Sequence, residues 1–295
     1  MPATRIRRVA IVGVGLVGGS IGLALRRTLR RVEVVGIDRA PVLRRARRRG
    51  AIQTGHTSLA RGLEGADLII LALPVDAILT FLPRVARLAG AGAVVTDIGS
   101  TKGTIKEAAI RSGLGARFVG GHPMAGSEQT GVAHADPRLF IGAPWILCAS
   151  RPGKALRLVR HLVSAVGARP ILLDARRHDR LVALFSHLPQ ILSIALVNAV
   201  ARRVSPRSPR LAGPAFRQMS RVATSPERLW RGILSTNEGA VCEAIDAFTR
   251  ELGILRSQLP HGLKAAFRRA ARARPRLAAQ RGNPVASRPS RRRTP

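Results

Sequence analysis

Short apolar runs alternate with longer amphipathic stretches through the first part of the chain. The run at 8–13 is β-branched and apolar, and a glycine-rich turn connects it to a helical pattern that ends near Leu29. Further strand-like runs lie at 33–38, 67–74, 93–99, 116–121, 144–149 and 169–174. This alternation predicts an α/β fold, a mostly parallel sheet with helices on both faces.

The turn after the first run contains three glycines in the spacing G-x-G-x-x-G, at Gly13, Gly15 and Gly18. In a strand–turn–helix unit the first glycine permits the tight turn, the second admits a pyrophosphate and the third allows close helix packing. The second strand ends in Asp38, where a carboxylate accepts hydrogen bonds from a ribose. The pattern therefore predicts a Rossmann-type domain that binds NAD; the neighbouring Arg39 leaves NADP open as an alternative.

The pattern changes after Asp174, where strand signals stop. Residues 178–204 and 215–259 have helical periodicity, and Pro226 after Ser225 predicts a helix start. We predict a dinucleotide-binding domain over 1–173, an all-α substrate and dimerisation domain over 174–265, and a basic disordered tail over 266–295. The apolar helices near 178–200 and 238–255 favour a homodimer.

The formal net charge of +34 raises the alternative of a nucleic-acid-binding protein. Almost all of this charge is arginine scattered along the chain, without interleaved aromatic residues or a nucleic-acid-binding motif, so we predict no specific nucleic-acid partner. Cys148 and Cys242 form neither a disulfide framework nor a metal-ligand pattern, which favours the cytoplasm and no metal. Since no apolar run approaches the ~20 residues of a membrane span, we predict no membrane association.

Several longer stretches stand out along the chain, among them VVTDIGSTKG, GGHPMAGSEQTG, HDRLVALFSHLPQ and FRQMSRVATSPERLW. Together, and in this order, they resemble the prephenate/arogenate dehydrogenase family of tyrosine biosynthesis. The resemblance implies NAD-dependent oxidative decarboxylation of prephenate to 4-hydroxyphenylpyruvate. The same chemistry on arogenate, which yields tyrosine directly, remains an alternative.

The resemblance also implies roles for individual residues. His122 is expected to be the base that takes the substrate hydroxyl proton, with Ser100 close to it and to the nicotinamide. Arg221 is expected to bind a substrate carboxylate, while His187 and Trp230 line the pocket. The expected cofactor-binding residues are Gly13, Gly15, Leu16, Val17, Gly18, Asp38, Pro74 and Ser100. The chain departs from the family pattern at Pro214 and Gln218, shortly before Arg221.

Two other classes of protein remain open at this level. A β-hydroxyacid dehydrogenase or imine reductase also joins a dinucleotide domain to a helical one, although the HPMAGSE stretch has no role in that chemistry. A nucleotide-sensing or nucleic-acid-binding protein that keeps the fold without the reaction is the second alternative.

Overall fold

The computed structural model describes residues 6–126, 129–205 and 211–278. Its strands are β1 Arg8–Val12, β2 Glu33–Ile37, β3 Thr54–His56, β4 Leu68–Leu71, β5 Val94–Asp97, β6 Phe118–Pro123, β7 Pro144–Ala149 and β8 Arg169–Leu172. Its helices are α1 Leu16–Thr28, α2 Ala40–Arg48, α3 Leu59–Leu63, α4 Val75–Leu88, α5 Gly103–Arg111, α6 Lys154–Ala165, α7 Ala175–Val182, α8 Leu188–Ala201, α9 Pro214–Ser220, α10 Glu227–Ser235, α11 Glu238–Gln258 and α12 Lys264–Ala278.

The eight strands form one sheet in the order β3-β2-β1-β4-β5-β6-β7-β8. Strands β1 to β6 are parallel, β7 runs antiparallel to β6, and β8 is parallel to β7. The first six strands thus have the order of a dinucleotide-binding sheet, and their carboxyl ends lie at one edge. This confirms the predicted fold class. The sequence reading missed β3, whose three residues contain no apolar run.

Alternate residues of the buried strands pack on opposite faces of the sheet. In β1, Val9 and Ile11 belong to an apolar cluster that includes α1 and α6. Ala10 and Val12 belong to a second cluster that includes α3, α4 and α5. Because both faces are covered, the open edge at the strand ends is where a ligand can reach the sheet.

Helices α7 and α8 are joined by a π-helical turn, Ala183–His187, so that 175–201 is one helical stretch. The turn immediately precedes Leu188 and Pro189; proline lacks an N–H and its ring crowds the carbonyl four residues earlier, which accounts for the widened turn. Among the described residues this stretch alone has the length and mean hydropathy, 1.6, of a membrane span. Only 33% of that window is buried.

Contacts divide the chain into two compact units, Met1–Ile245 and Asp246–Pro295. The predicted boundary near 173 does not coincide with this division, because contacts tie the following segment to the sheet unit. For example, the Asp179 carboxylate accepts hydrogen bonds from the backbone at the start of α5, at 2.7–2.8 Å.

The second unit contains the end of α11 and helix α12, which was not expected. Residues 266–278 are helical rather than disordered, since alanine and arginine have high helix propensity. The remainder of the predicted tail, 279–295, lies outside the described residues.

Candidate active site

The turn between β1 and α1 has the three glycine environments that a dinucleotide site needs. Gly13 has a positive φ of 90°, and a Cβ on it would lie 2.3 Å from the Ala72 carbonyl oxygen. A Cβ on Gly18 would lie 2.1 Å from the Gly13 oxygen, so helix and turn are in direct contact there. Beside Gly15, by contrast, nothing lies within 4 Å of a built Cβ. The turn is therefore closed against the sheet and open on the side where a pyrophosphate binds.

The other predicted cofactor residues surround this turn. The Asp38 carboxylate accepts hydrogen bonds from the backbone N–H groups of Val14 (2.8 Å) and Arg39 (2.7 Å), which hold it against the glycine turn. Leu16 and Val17 form the first turn of α1, whose backbone N–H groups have no helical partner. Pro74 immediately precedes α4, in the connection that follows β4, the strand next to β1.

His122 lies on the same edge of the sheet, inside strand β6 rather than in the loop after it. It pairs with Ile146 of β7, and the antiparallel pairing continues to Pro123, which is why the strand extends further than predicted. Gly121 permits this packing, since a Cβ there would lie 2.5 Å from the Asp97 carbonyl oxygen. The stretch HPMAGSE continues beyond the strand, but Ser127 and Glu128 lie outside the described residues.

A line of hydrogen bonds leads from His122 into the helical segment. His122 Nδ1 lies 2.9 Å from Nε2 of His178, and Nδ1 of His178 lies 2.8 Å from Oδ1 of Asp179. The rings of the two histidines meet edge to face, with centroids 5.1 Å apart. His178 is 1% exposed, and the backbone N–H groups of Lys102 and Gly103 hold the Asp179 carboxylate.

A buried ion pair lies beside this line. The Lys102 ammonium donates to the Asp97 carboxylate, and both side chains are fully buried. Asp97 also accepts hydrogen bonds from the backbone of Gly99 and Gly121, so its oxygens are well satisfied. The pair connects β5 to the start of α5, and the Gly121 N–H connects Asp97 to the strand that contains His122.

These surroundings keep His122 neutral. Burial lowers the pKa of His122 well below its usual value, and the neighbouring His178, Lys102 and His187 lower it further. A neutral imidazole at neutral pH has a nitrogen lone pair available to accept a proton.

His187 and Trp230 lie together, as the sequence predicts for two residues of one pocket. Their rings meet edge to face with centroids 6.0 Å apart, and Asn237 holds His187 through Nδ1 at 3.2 Å. Burial lowers the pKa of His187 to about 4; Asp179 opposes that shift and His178 adds to it. The Trp230 indole N–H is buried and has no hydrogen-bond partner in the described part of the chain.

Arg221 begins the 3₁₀ turn Arg221–Thr224, and its side chain is exposed. The turn is attached to α8, because Gln190 donates through Nε2 to the Val222 carbonyl at 2.9 Å. Gln190 lies one turn of helix after His187. Pro214, a departure from the family pattern, occupies the start of α9, where its missing N–H costs nothing.

Ser100 lies in the turn between β5 and α5, at the carboxyl edge of the sheet. It is half-buried, and within the described residues its hydroxyl makes no hydrogen bond to His122. No group of three or more His, Cys, Asp and Glu side chains in the described ranges is arranged to hold a metal ion.

Sequence reasoning missed the residues that support His122. His178 and Asp179 stand at the beginning of the quoted stretch HDRLVALFSHLPQ, but only His187 was selected from it. A histidine next to a carboxylate on a helix is a signal that could have been noticed; its contact with a strand residue 56 positions away could not.

An open glycine turn on a doubly wound sheet, with a neutral histidine at the end of another strand on that edge, defines a dinucleotide-dependent dehydrogenase. Comparisons with known proteins give the family. Residues 21–172 match the prephenate dehydrogenase nucleotide-binding domain, and residues 174–272 match the prephenate dehydrogenase dimerization domain. The chain belongs to the prephenate dehydrogenase family.

Individual relatives agree with this result. Prephenate dehydrogenase of Lactococcus lactis subsp. cremoris is 35% identical over 252 residues, which are 84% of this chain and 70% of that protein. The crystal structure of A. aeolicus prephenate dehydrogenase with hydroxyphenyl propionate and NAD+ is 28% identical, with a TM-score of 0.85 over 94% of this chain and 100% of that one. Synechocystis arogenate dehydrogenase is 27% identical, with a TM-score of 0.81 over 92% of this chain and 99% of that one.

Proposed function

We propose that this protein is an NAD-dependent prephenate dehydrogenase of tyrosine biosynthesis. The observation that carries the proposal is the position of His122, a histidine held neutral on the sheet edge where the glycine turn is open. Family membership favours this reaction over the β-hydroxyacid dehydrogenase and imine reductase alternatives.

In this reaction His122 accepts the proton of the C4 hydroxyl of prephenate. As the C4 oxygen becomes a carbonyl, the hydride on C4 passes to the nicotinamide, which is the chemistry that the cofactor supplies. The bond from C1 to its carboxylate then breaks, CO2 leaves and the ring becomes aromatic. The C4 oxygen recovers a proton, so the reaction releases none overall, and His122 must hold the proton and return it.

Prephenate is a dianion, so its site needs positive charge and hydrogen-bond donors. We assign a substrate carboxylate to Arg221, because a guanidinium binds a carboxylate through two hydrogen bonds. His187 and Trp230 complete the pocket, and within the described residues the buried indole N–H of Trp230 has no hydrogen-bond partner.

The cofactor side follows from the turn after β1. Gly13 and Gly18 close the turn, Gly15 leaves room for the pyrophosphate, and the start of α1 directs N–H groups towards it. Asp38 favours the ribose of NAD over a 2′-phosphate. Ser100 is assigned to the nicotinamide end, between the cofactor and His122.

We also propose a cytoplasmic homodimer that assembles through the segment after 173, with the functional domain boundary there. The match of 174–272 to a dimerization domain supports this, as do apolar side chains exposed on the helical stretch 175–201. These side chains are Leu181, Leu184, Phe185 and Ile194. A partner subunit that covers them also explains the high hydropathy of the stretch without a membrane. Sedimentation of purified protein should give twice the mass of one chain; a monomer, or recovery only with membranes, would contradict the assembly.

The reaction is tested by NADH formation from NAD+ with prephenate or with arogenate, alongside NADP+. We expect turnover with prephenate and NAD+, and 4-hydroxyphenylpyruvate as the product. Turnover with arogenate alone would make the protein an arogenate dehydrogenase. Bound NAD+ without turnover on either substrate would reject the proposed reaction and leave only the fold assignment.

A further inference from the structure

The reaction proposed above needs one particular nitrogen of His122 to be a free base. An imidazole has two nitrogens, and in the neutral form only one of them has a lone pair. If Nδ1 had that lone pair, the proton would sit on Nε2 and the base would point at His178 instead of at a ligand. The tautomer of His122 therefore determines whether it can act.

The hydrogen bonds around Asp179 decide the tautomer. Its carboxylate accepts from the backbone N–H groups of Lys102 and Gly103, at 2.8 and 2.7 Å. An ionised carboxylate can only accept, so the Nδ1 that faces it at 2.8 Å must be a donor. This places a ring proton of His178 on Nδ1. An imidazole with a single ring proton then has Nε2 as its acceptor.

That acceptor faces His122 Nδ1 at 2.9 Å, so His122 Nδ1 has to donate. The lone pair of His122 is then on Nε2, the nitrogen that His178 does not occupy. Asp179 is itself fixed, because the Asn237 amide donates to its backbone carbonyl at 2.8 Å. His178 is 1% exposed and Asp179 7% exposed, so water cannot replace either partner easily.

We propose that His178, oriented by Asp179, is a positioning residue that sets the tautomer and orientation of His122. His178 does not touch the substrate; it acts through His122. The expected effect of His178 on turnover rests on the proposed function. The tautomer of His122, however, is a property of the protein before any substrate binds.

Two substitutions at His178 separate this role from a packing role. In His178→Gln the side-chain carbonyl can lie where Nε2 was and accept from His122, although the link to Asp179 is lost. In His178→Asn the amide can still meet Asp179, but no atom reaches His122. We expect kcat with prephenate to fall roughly 10- to 100-fold in the Asn variant and to remain within about threefold of wild type in the Gln variant.

The KM values for prephenate and NAD+ should stay unchanged in both variants, because His178 is buried against His122 and is proposed to act only through it. His161→Asn, a substitution of an exposed histidine on α6, is the matched control and should leave kcat unchanged. Equal losses in Gln and Asn would overturn the proposal, since they would point to packing alone. Wild-type kcat in both variants would overturn it too.

A second measurement needs no variant that could misfold. In ¹⁵N-labelled wild-type protein with NAD+, the ring-nitrogen shifts of His122 report which nitrogen carries the proton; the signals that vanish in His122→Asn identify the residue. We expect a protonated Nδ1 and an unprotonated Nε2 at neutral pH. The opposite tautomer would overturn the proposal. Because this result is independent of turnover, it also separates failure of the proposal from failure of the proposed reaction, which the wild-type assay detects.

Discussion

Two regions at the same edge of the sheet are built on opposite principles. The glycine turn between β1 and α1 is local: Gly13, Gly15 and Gly18 lie within six consecutive residues, and each acts through its own backbone. The surroundings of His122 are assembled from distant parts of the chain. His122 and His178 are 56 positions apart, and Asp179 is 77 from Lys102.

This difference separates what the fold needs from what the chemistry needs. The turn requires glycines, which have no side chain, and this requirement is met without any later part of the chain. The histidine requires particular nitrogen and oxygen atoms at hydrogen-bond distance, and only the helical segment after 173 supplies them. The cofactor side can therefore form within the sheet domain, whereas the base is complete only when that segment packs on it.

The largest effect should follow from removing the base itself. His122→Asn keeps a donor near the position of Nδ1 but has no lone pair at Nε2, so we expect kcat to fall by roughly 10²–10⁴. Steady-state NADH formation measures it. NAD+ affinity and thermal stability should change little; unchanged kcat would remove His122 from the chemistry.

The next largest effect is expected from substitutions in the glycine turn. A glycine packed against the backbone, Gly18, and one that faces open space, Gly15, should give different results. Gly18→Ala places a Cβ 2.1 Å from the Gly13 oxygen, which has to move, so we expect a loss of roughly 1–3 kcal/mol in the free energy of unfolding. Gly15→Ala meets open space, and the φ of −80° at this position is negative, so the substitution does not require the left-handed region. It should keep wild-type stability and only raise the KM for NAD+. Urea unfolding and NAD+ titration of both variants are the measurements; equal stability losses would contradict the assignment of the open side.

The same contrast explains how far the sequence could be interpreted. All seven strand-like runs, the glycine turn and Asp38 follow from patterns within a few residues, and the structure has strands and the turn there. The short strand β3 depends on pairing with β2 that no local pattern predicts. The π turn before Leu188 and helix α12, by contrast, have local signals that were missed, namely Pro189 and a run rich in alanine and arginine. The partners of His122 belong to the same class as β3, because hydrogen bonds between distant side chains appear only after the chain folds.

A smaller effect is expected on the substrate side. Arg221→Ala removes a charged hydrogen-bond donor, which typically contributes about 1.5–3 kcal/mol, so the KM for prephenate should rise roughly 10- to 100-fold. The KM for NAD+ should stay constant. Arg217→Ala, a nearby arginine on α9, is the control and should change neither KM by more than about threefold. A larger effect at Arg217 would move the carboxylate site to that residue.

The smallest expected effect is on stability, and it tests the burial of His187 rather than the chemistry of the reaction. Burial lowers the pKa of His187 to about 4, so between about pH 4 and 6.5 the unfolded chain binds a proton that the folded protein does not. Stability should therefore fall as the pH drops through that window. From pH 7 to pH 5 the contribution of His187 to the loss of stability is roughly 2 kcal/mol, since each unit of pKa shift corresponds to about 1.4 kcal/mol.

Urea unfolding at both pH values measures this loss, with His187→Asn as the comparison. The variant should lose less stability on acidification than wild type. Part of the pH dependence of stability should remain in the variant, because the pKa of His122 is also lowered. Identical slopes would mean that His187 titrates normally in the folded protein, which would contradict the buried, Asn237-bound environment that the structure gives it.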